Sequence, residues 1–257
     1  MSRWSGVSEA YAASFSTLCE GTIPRMLADL PDGPLLDAGS GTGTLTAAAR
    51  EQGRDVSAVD SDPDMVAMTN AVAPGSCRAA ALPDLPFADA SFSSIAANFV
   101  VNHLPDPRAG VRELARILAP GGRLAMTIWP AGGTGWAPLV AGAFDDAGAL
   151  QVAGGRLPAH LDFPRTAEGL AELASDAGLH VLQAEVVSWL WEVEPAALWT
   201  GIAGGVATPG ARYLAQTPDV QQRVRSAFDA RATQLAEGGL LQLPNTAVYV
   251  LATAPEA

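Results

Sequence analysis

The stretch that most constrains this chain is Leu35-Leu36-Asp37-Ala38-Gly39-Ser40-Gly41-Thr42-Gly43. A short apolar run enters a glycine-rich turn, and residues 44–52 then suit a helix that stops at Gly53. Strand, glycine loop and helix in that order bring backbone close to a ligand and aim helix N–H groups at it. The dinucleotide fingerprint is Gly-x-Gly-x-x-Gly/Ala, whereas here glycines stand at 39, 41 and 43 and Thr44 follows. That spacing is one residue short, which disfavours a pyrophosphate. Asp37 also lies inside the strand just ahead of the loop, where a carboxylate suits a cationic ligand better than a diphosphate.

The alternation continues along the chain. Residues 8–30 read as one or two helices closed by Pro31-Asp32-Gly33-Pro34. Residues 56–59 form a second strand ending in Asp60, and Asp62-Pro63 caps the next helix. A buried strand over 92–101 precedes a helix opened by Asp106-Pro107, with Val111, Leu114, Ala115 and Leu118 on one face, and Pro120-Gly121-Gly122 turns into a strand over 123–129. The pattern loosens into an irregular insertion over 131–164, around Gly132-Gly133-Thr134-Gly135. It returns as a helix over 166–177, a strand over 180–191, helices over 195–239 (notably 220–236) and a last strand over 247–251. This order predicts an α/β fold: a doubly wound sheet with right-handed crossovers, its ligand beyond the carboxyl ends of the strands.

Composition narrows the partner. Hydrophobic residues make up 49% of 257, so one globular domain is expected. Acidic residues outnumber basic ones 27 to 15 for a net charge of −12, and every basic residue is arginine. Scattered arginines on an acidic background argue against nucleic acid and membrane partners and for a small-molecule substrate. The oligomeric state is not written in the sequence. Cys19 and Cys77 lie far apart in no Cys-x-x-Cys pair, so neither a disulfide framework nor a zinc site is predicted and a cytoplasmic location is expected. Met1-Ser2-Arg3-Trp4-Ser5-Gly6 lacks an apolar signal core, and no stretch approaches the roughly 18 apolar residues that span a bilayer. Asp60-Ser61-Asp62-Pro63-Asp64 resembles a calcium loop only superficially, because Asp62 serves as a helix cap; no metal site is predicted.

S-adenosylmethionine carries an ammonium and a sulfonium beside a ribose, a combination that would occupy both Asp37 and Asp60. The segment from Leu35 to Gly43 is similar, almost letter for letter, to the first motif of the class I S-adenosylmethionine-dependent methyltransferases, in particular small-molecule, methyltransferase type 11-like members. Leu85-Pro86-Phe87-Ala88-Asp89-Ala90-Ser91-Phe92, Asn102-His103-Leu104-Pro105-Asp106-Pro107 and Leu118-Ala119-Pro120-Gly121-Gly122-Arg123-Leu124 resemble later motifs in the same order. The resemblance covers residues 32–130. It implies a Rossmann-like seven-stranded sheet of order 3-2-1-4-5-7-6, the last strand antiparallel, with helical lid insertions. A single domain over 1–257 would then comprise N-terminal lid helices (1–31), a cofactor-binding core (32–130), a variable substrate lid (131–164 and 195–243) and segments completing the sheet (165–194 and 244–257).

Carried across residue by residue, the resemblance implies that Gly39, Ser40, Gly41 and Gly43 line the methionine portion of the cofactor. Asp37 would anchor its ammonium directly or through water, Asp60 would hold the ribose, Ser61 would border the adenine and Asn98 would face the methionine moiety. Tyr11 sits where relatives close over the cofactor, and Phe15 shares that helix with helix packing as its alternative role. Where the family often places an acid against the adenine amino group this chain has Ala81, with Leu82 next, so only backbone groups read that edge and a charge-assisted bond worth about 1.5–3 kcal/mol is missing. Ser93 likewise replaces an acid common after the Ser-Phe pair.

Methyl transfer is an in-line displacement, so alignment and desolvation alone supply up to about 7–11 kcal/mol and no base is obligatory. His103, after the fourth strand, is the candidate catalytic base; its alternative is a hydrogen bond within a family turn. His160 lies in the expected lid, with a surface loop as its alternative, and His180 is given no role. Trp129, Trp136, Trp189, Trp191 and Trp199 would shape an aromatic chamber or serve as core. Asn98-Phe99-Val100-Val101 keeps the amide but lacks the prolines of relatives that methylate nucleic acids or proteins. The expected reaction is methyl transfer to a small, largely apolar metabolite of biosynthetic or secondary pathways. The rivals are S-adenosylmethionine binding without methylation, as in a cyclase, and an NAD(P)-dependent oxidoreductase, which the glycine spacing and the missing lysine of a Tyr-x-x-x-Lys pair disfavour.

Overall fold

A computed structural model describes residues 6–133, 135–152 and 157–256; the opening residues 1–5, and Thr134 and 153–156 of the expected insertion, lie outside the described residues. The strands are β1 (Leu35–Ala38), β2 (Val56–Asp60), β3 (Cys77–Ala79), β4 (Phe92–Asn98), β5 (Leu118–Ile128), β6 (His180–Val193) and β7 (Leu241–Thr253). The helices are α1 (Ser8–Ala12), α2 (Phe15–Cys19), α3 (Ile23–Asp29), α4 (Thr44–Glu51), α5 (Pro63–Val72), α6 (Pro107–Ile117), α7 (Trp136–Asp146), α8 (Ala167–Asp176), α9 (Pro195–Ala203), α10 (Ala207–Leu214) and α11 (Pro218–Leu235). The chain divides into two compact units: a sheet unit of Thr22–Ala131, Leu157–Val187 and Ala247–Ala257, and a helical unit of Met1–Gly21, Gly132–Arg156 and Ser188–Thr246.

The seven strands form one sheet of order β3-β2-β1-β4-β5-β7-β6, as the resemblance implied. β1 pairs in parallel with β2 and β4, and β7 runs antiparallel to β5, with Arg123 opposite Thr253 and Ile128 opposite Val248. In the central strands of the sheet unit both faces are buried. Leu36, Ile95, Leu124, Met126, Val248 and Val250 join Leu114 and Ile117 of α6 and Leu170 and Leu173 of α8. Their neighbours Leu35, Ala96, Ala125, Tyr249 and Leu251 join Met26 and Leu27 of α3 and Leu45 of α4 in a second cluster. Side chains alternate across a strand, so each strand feeds both clusters, and the apolar runs read from the sequence are the signature of a doubly covered sheet.

Four boundaries differ from the sequence reading. β4 stops at Asn98 rather than 101, because Phe99 takes a left-handed φ of 57° and Val101–His103 closes a 3-10 turn. β5 begins at Leu118 and contains Pro120-Gly121-Gly122; the pairing jumps from Phe92 opposite Leu118 to Ser94 opposite Arg123, so an irregularity accommodates the expected turn within the strand. The insertion predicted as irregular holds α7, which buries Leu139, Val140, Ala143 and Phe144 at helical spacing; its glycines and Pro138 had masked the period. β7 starts six residues before the predicted Ala247, at Leu241, and only its later part is continuously buried.

The helical unit has a different interior. Phe15 meets Trp136 edge-on at 5.0 Å and stacks on Trp191 at 6.2 Å, while the Trp191 indole donates to Thr17 Oγ1 at 3.0 Å. Trp199 packs between Tyr213 and Phe228, each 5.1 Å away, under the Arg225 guanidinium. Among the described residues, no helix is long and apolar enough to cross a membrane.

Candidate cofactor site

The site grows from the carboxyl ends of β1, β2 and β4, at the switch point where successive strands are added on opposite sides of β1. Gly39 and Ser40 donate their N–H groups to Val59 O, and Gly43 closes the turn on Ser40 O. Two glycines are sterically required. At Gly39, with φ of +78°, an added Cβ would lie 2.5 Å from Val100 Cγ2. At Gly43, with φ of +85°, it would lie 2.8 Å from the Thr69 backbone, and α4 starts at the next residue.

Asp37 is 1% exposed and its Oδ2 accepts from Thr46 Oγ1 of α4 at 2.6 Å. Burial pushes its carboxyl up to about 7; the Thr46 hydrogen bond opposes this and the charge of Asp60 adds to it. No arginine among the described residues forms an ion pair with it. A buried carboxyl without a basic partner favours a ligand that brings positive charge. Asp60 carries out two backbone tasks: Oδ2 accepts from Gly41 N and Oδ1 from Asp62 N, both at 2.9 Å. Burial raises its pKa while those N–H groups lower it. The carboxylate can still accept a further bond, as from a ribose hydroxyl. Glycine cradle, buried acid and second-strand acid together fit S-adenosylmethionine.

The other expected residues separate. Ser40 is buried with its hydroxyl 2.9 Å from Thr69 Oγ1 and 3.4 Å from Cys77 Sγ. Ser61 is exposed just beyond β2, and its backbone helps lower the Asp60 carboxyl. Ala81 and Leu82 follow β3; Ala81 accepts from Asp84 N in a turn, and Leu82 packs partly on the core. Asn98 Oδ1 accepts from Thr22 Oγ1 at 2.7 Å and from Thr127 Oγ1 at 2.6 Å. His103 ends the 3-10 turn with Nε2 at 3.2 Å from Asn102 Nδ2. Tyr11 belongs to the helical unit, where its hydroxyl donates to Cys19 Sγ at 3.5 Å.

His160 is exposed in a turn and His180 is exposed at the start of β6. Phe99 stacks on Trp129 at 3.9 Å in the sheet unit, whereas Trp191 and Trp199 are core of the helical unit. Thr46, Thr22 and Thr127 carry polar contacts that sequence reasoning missed. Thr46 had a readable signal, a hydroxyl in the first turn of the helix after the loop, but the other two bonds span 76 and 29 residues.

Residues 36–126 match the family model described as a methyltransferase domain. A demethylmenaquinone methyltransferase of Clavibacter sepedonicus is 33% identical over 131 residues, covering 47% of this chain and 54% of that protein, so the match spans about half of the relative's length. Among solved structures, a SAM-dependent methyltransferase from Methanosarcina mazei aligns with a TM-score of 0.54 at 15% identity, covering 91% of this chain and 98% of its own. The [4+2]-cyclase SpnF aligns with a TM-score of 0.53 at 20% identity, covering 93% and 80%. Both structural likenesses speak to fold. The matched core and the 3-2-1-4-5-7-6 sheet identify residues 36–126 as a methyltransferase domain, in a chain with the fold of the class I S-adenosylmethionine-dependent methyltransferases.

Proposed function

We propose that the chain transfers a methyl group from S-adenosylmethionine to a small, largely apolar metabolite in the cytoplasm, with no nucleic-acid or membrane partner. One observation carries this reading: Asp37, buried beside the glycine loop with its carboxyl pushed up to about 7 and no basic partner among the described residues, suits a cationic amino-acid moiety. When bound, the cofactor supplies an electrophilic methyl on sulfonium, so the protein's task is to hold, align and exclude water. Asp37 takes the ammonium, and its bond to Thr46 fixes the rotamer that does so. Gly39, Ser40, Gly41 and Gly43 bring backbone against the methionine portion. Asp60 accepts from the ribose while holding the loop through Gly41 N. Ser61 borders the adenine, the backbone of Ala81 and Leu82 reads its edge, and Asn98 faces the methionine moiety. His103 accepts the acceptor's proton where one must leave.

The relative named for demethylmenaquinone supports an apolar acceptor, and the net charge of −12 disfavours an anionic one. Segments 131–164 and 195–243 fall outside the matched residues 36–126 and are proposed to carry acceptor choice. A second reading, cofactor binding without methyl transfer, rests on Ala81 standing where the family often has an acid. Incubation with labelled cofactor and a panel of phenols, quinols, acids and amines tests the choice by mass spectrometry. Formation of S-adenosylhomocysteine together with a methylated acceptor supports transfer. Tight binding with no turnover over the whole panel favours the second reading, and no binding at all overturns both.

A further inference from the structure

Thr69 of α5 is fully buried and meets the glycine loop in three places. Its Oγ1 donates to Gly41 O at 3.0 Å and lies 2.9 Å from Ser40 Oγ, and a Cβ added at Gly43 would lie 2.8 Å from its Cα. A hydroxyl has one proton and the Gly41 carbonyl takes it, so Ser40 is the donor in the bond to Thr69. Ser40 has then spent its own proton and meets Cys77 Sγ, 3.4 Å away, only as an acceptor; the thiol's other acceptor, Arg78 O, is further off at 3.9 Å. The Ser40 side chain therefore braces the loop and has no proton to offer a ligand. Gly41, at a left-handed φ of 55°, is held on both sides, its N–H by Asp60 Oδ2 at 2.9 Å and its carbonyl by Thr69. The helix that carries Thr69 is itself fastened one residue on, where Asn70 Nδ2 donates to Cys77 O at 2.9 Å and Asn70 Oδ1 accepts from Cys77 N at 3.1 Å.

We propose that Thr69 is a positioning residue for the ribose-binding carboxylate: by holding Gly41 O it fixes the loop residue that presents its N–H to Asp60. This rests on the proposed S-adenosylmethionine site, in which Asp60 takes the ribose. The other oxygen of Asp60 is held by Asp62 N at 2.9 Å, so Gly41 N is the contact that ties the carboxylate to the loop. Losing the Thr69 hydroxyl leaves Gly41 held on one side only, and the carboxylate then follows a looser loop. Gly41 and Thr69 are 28 residues apart, and Met68-Thr69-Asn70 lies in no recognised motif, so the role is invisible in the sequence.

The test measures binding of S-adenosylmethionine and of its analogue lacking both ribose hydroxyls to wild type, Thr69→Val, Thr69→Ser and Asp60→Ala, with thermal melts to verify folding. Absence of wild-type binding to S-adenosylmethionine would sink the cofactor reading and this inference with it; binding without preference for the diol would spare the cofactor and sink this inference. A charge-assisted hydrogen bond predicts that wild type favours S-adenosylmethionine over the analogue about tenfold or more. Thr69→Val should erase most of that preference while binding the analogue as wild type does, and Thr69→Ser, which keeps a hydroxyl, should retain it. Added to Asp60→Ala, Thr69→Val should take nothing further from the preference. Equal losses for the two ligands, or a full preference in Thr69→Val, would overturn the assignment. Should Thr69→Val not fold, Ser40→Ala removes the hydroxyl that donates to Thr69 and is expected to reduce the same preference by a smaller factor; an unchanged preference there would overturn it.

Discussion

The two units bury different chemistry. The sheet unit places two carboxyls, Asp37 and Asp62, out of water with Ser40, Thr46, Thr69, Ser94 and Thr127, whereas the helical unit buries Ser8, Ser14, Ser16, Gln216 and Asn245, no carboxyl among the described residues, and the rings of Phe15, Trp191, Trp199 and Phe228. Buried polar groups are costly unless each is partnered, and here they are paired among strand ends and the glycine loop: Thr46 with Asp37, Ser40 with Thr69, Thr127 with Asn98. A hydrocarbon ring such as Phe228 carries no such constraint, and a core built of such groups tolerates sequence change as long as volume is kept. The matched family region, residues 36–126, lies within the sheet unit.

The strongest expected effect tests the aromatic side. Phe228→Ala removes a 1% exposed ring packed on Trp199 and should cost about 3–5 kcal/mol, read as a large fall in melting temperature. S-adenosylmethionine affinity of the folded fraction should be unchanged; coupled losses would break the separation of roles. His103→Ala tests the polar side and should lower methyl-transfer rate about a hundredfold with little change in cofactor affinity. A loss confined to affinity would remove His103 from the catalytic role.

Asp37→Asn should weaken S-adenosylmethionine by about tenfold or more, since a charge-assisted bond is lost. It should also change the pH response of the ligand-free protein. The folded carboxyl titrates at about 7, above its ordinary value of 3.8, so the stability it confers is fully present below about 3.8 and is lost as pH rises through 7. Wild type should therefore become less stable between pH 4 and about 7 for this reason, with the slope reduced in Asp37→Asn; equal slopes would show that the carboxyl is not titrating in that window. The cofactor, which needs the carboxylate, should bind more tightly over the same rise. The smallest effect is expected for Arg231→Ala, which breaks an exposed 2.7 Å pair with Asp146 and should leave the midpoint of chemical denaturation almost unchanged.

Legibility in the sequence follows the same division. Gly39, Gly41, Gly43, Asp37 and Asp60 were readable because a strand, a tight turn and a helix impose their own local chemistry, and the structure keeps them within a few residues of one another along the chain or on adjacent strands. The helix Trp136–Asp146 was hidden because Gly135, Pro138 and Gly142 imitate a loop, and only burial of Leu139, Val140, Ala143 and Phe144 makes it a helix. The early end of β4 was hidden for a related reason: residues 99–101 are as apolar as a strand, but Phe99 turns out of it, with its N–H taken by Thr127.

By itself, then, the sequence determined the periodic elements, the glycine turn and the acids at two strand ends, because each is set by contacts among near neighbours. The tertiary structure decided which hydroxyl meets which acid or amide, since Thr22, Asn98 and Thr127 are brought together only when the sheet forms. It also decided the protonation of Asp37, because desolvation is a property of the packed interior and no stretch of chain possesses it alone.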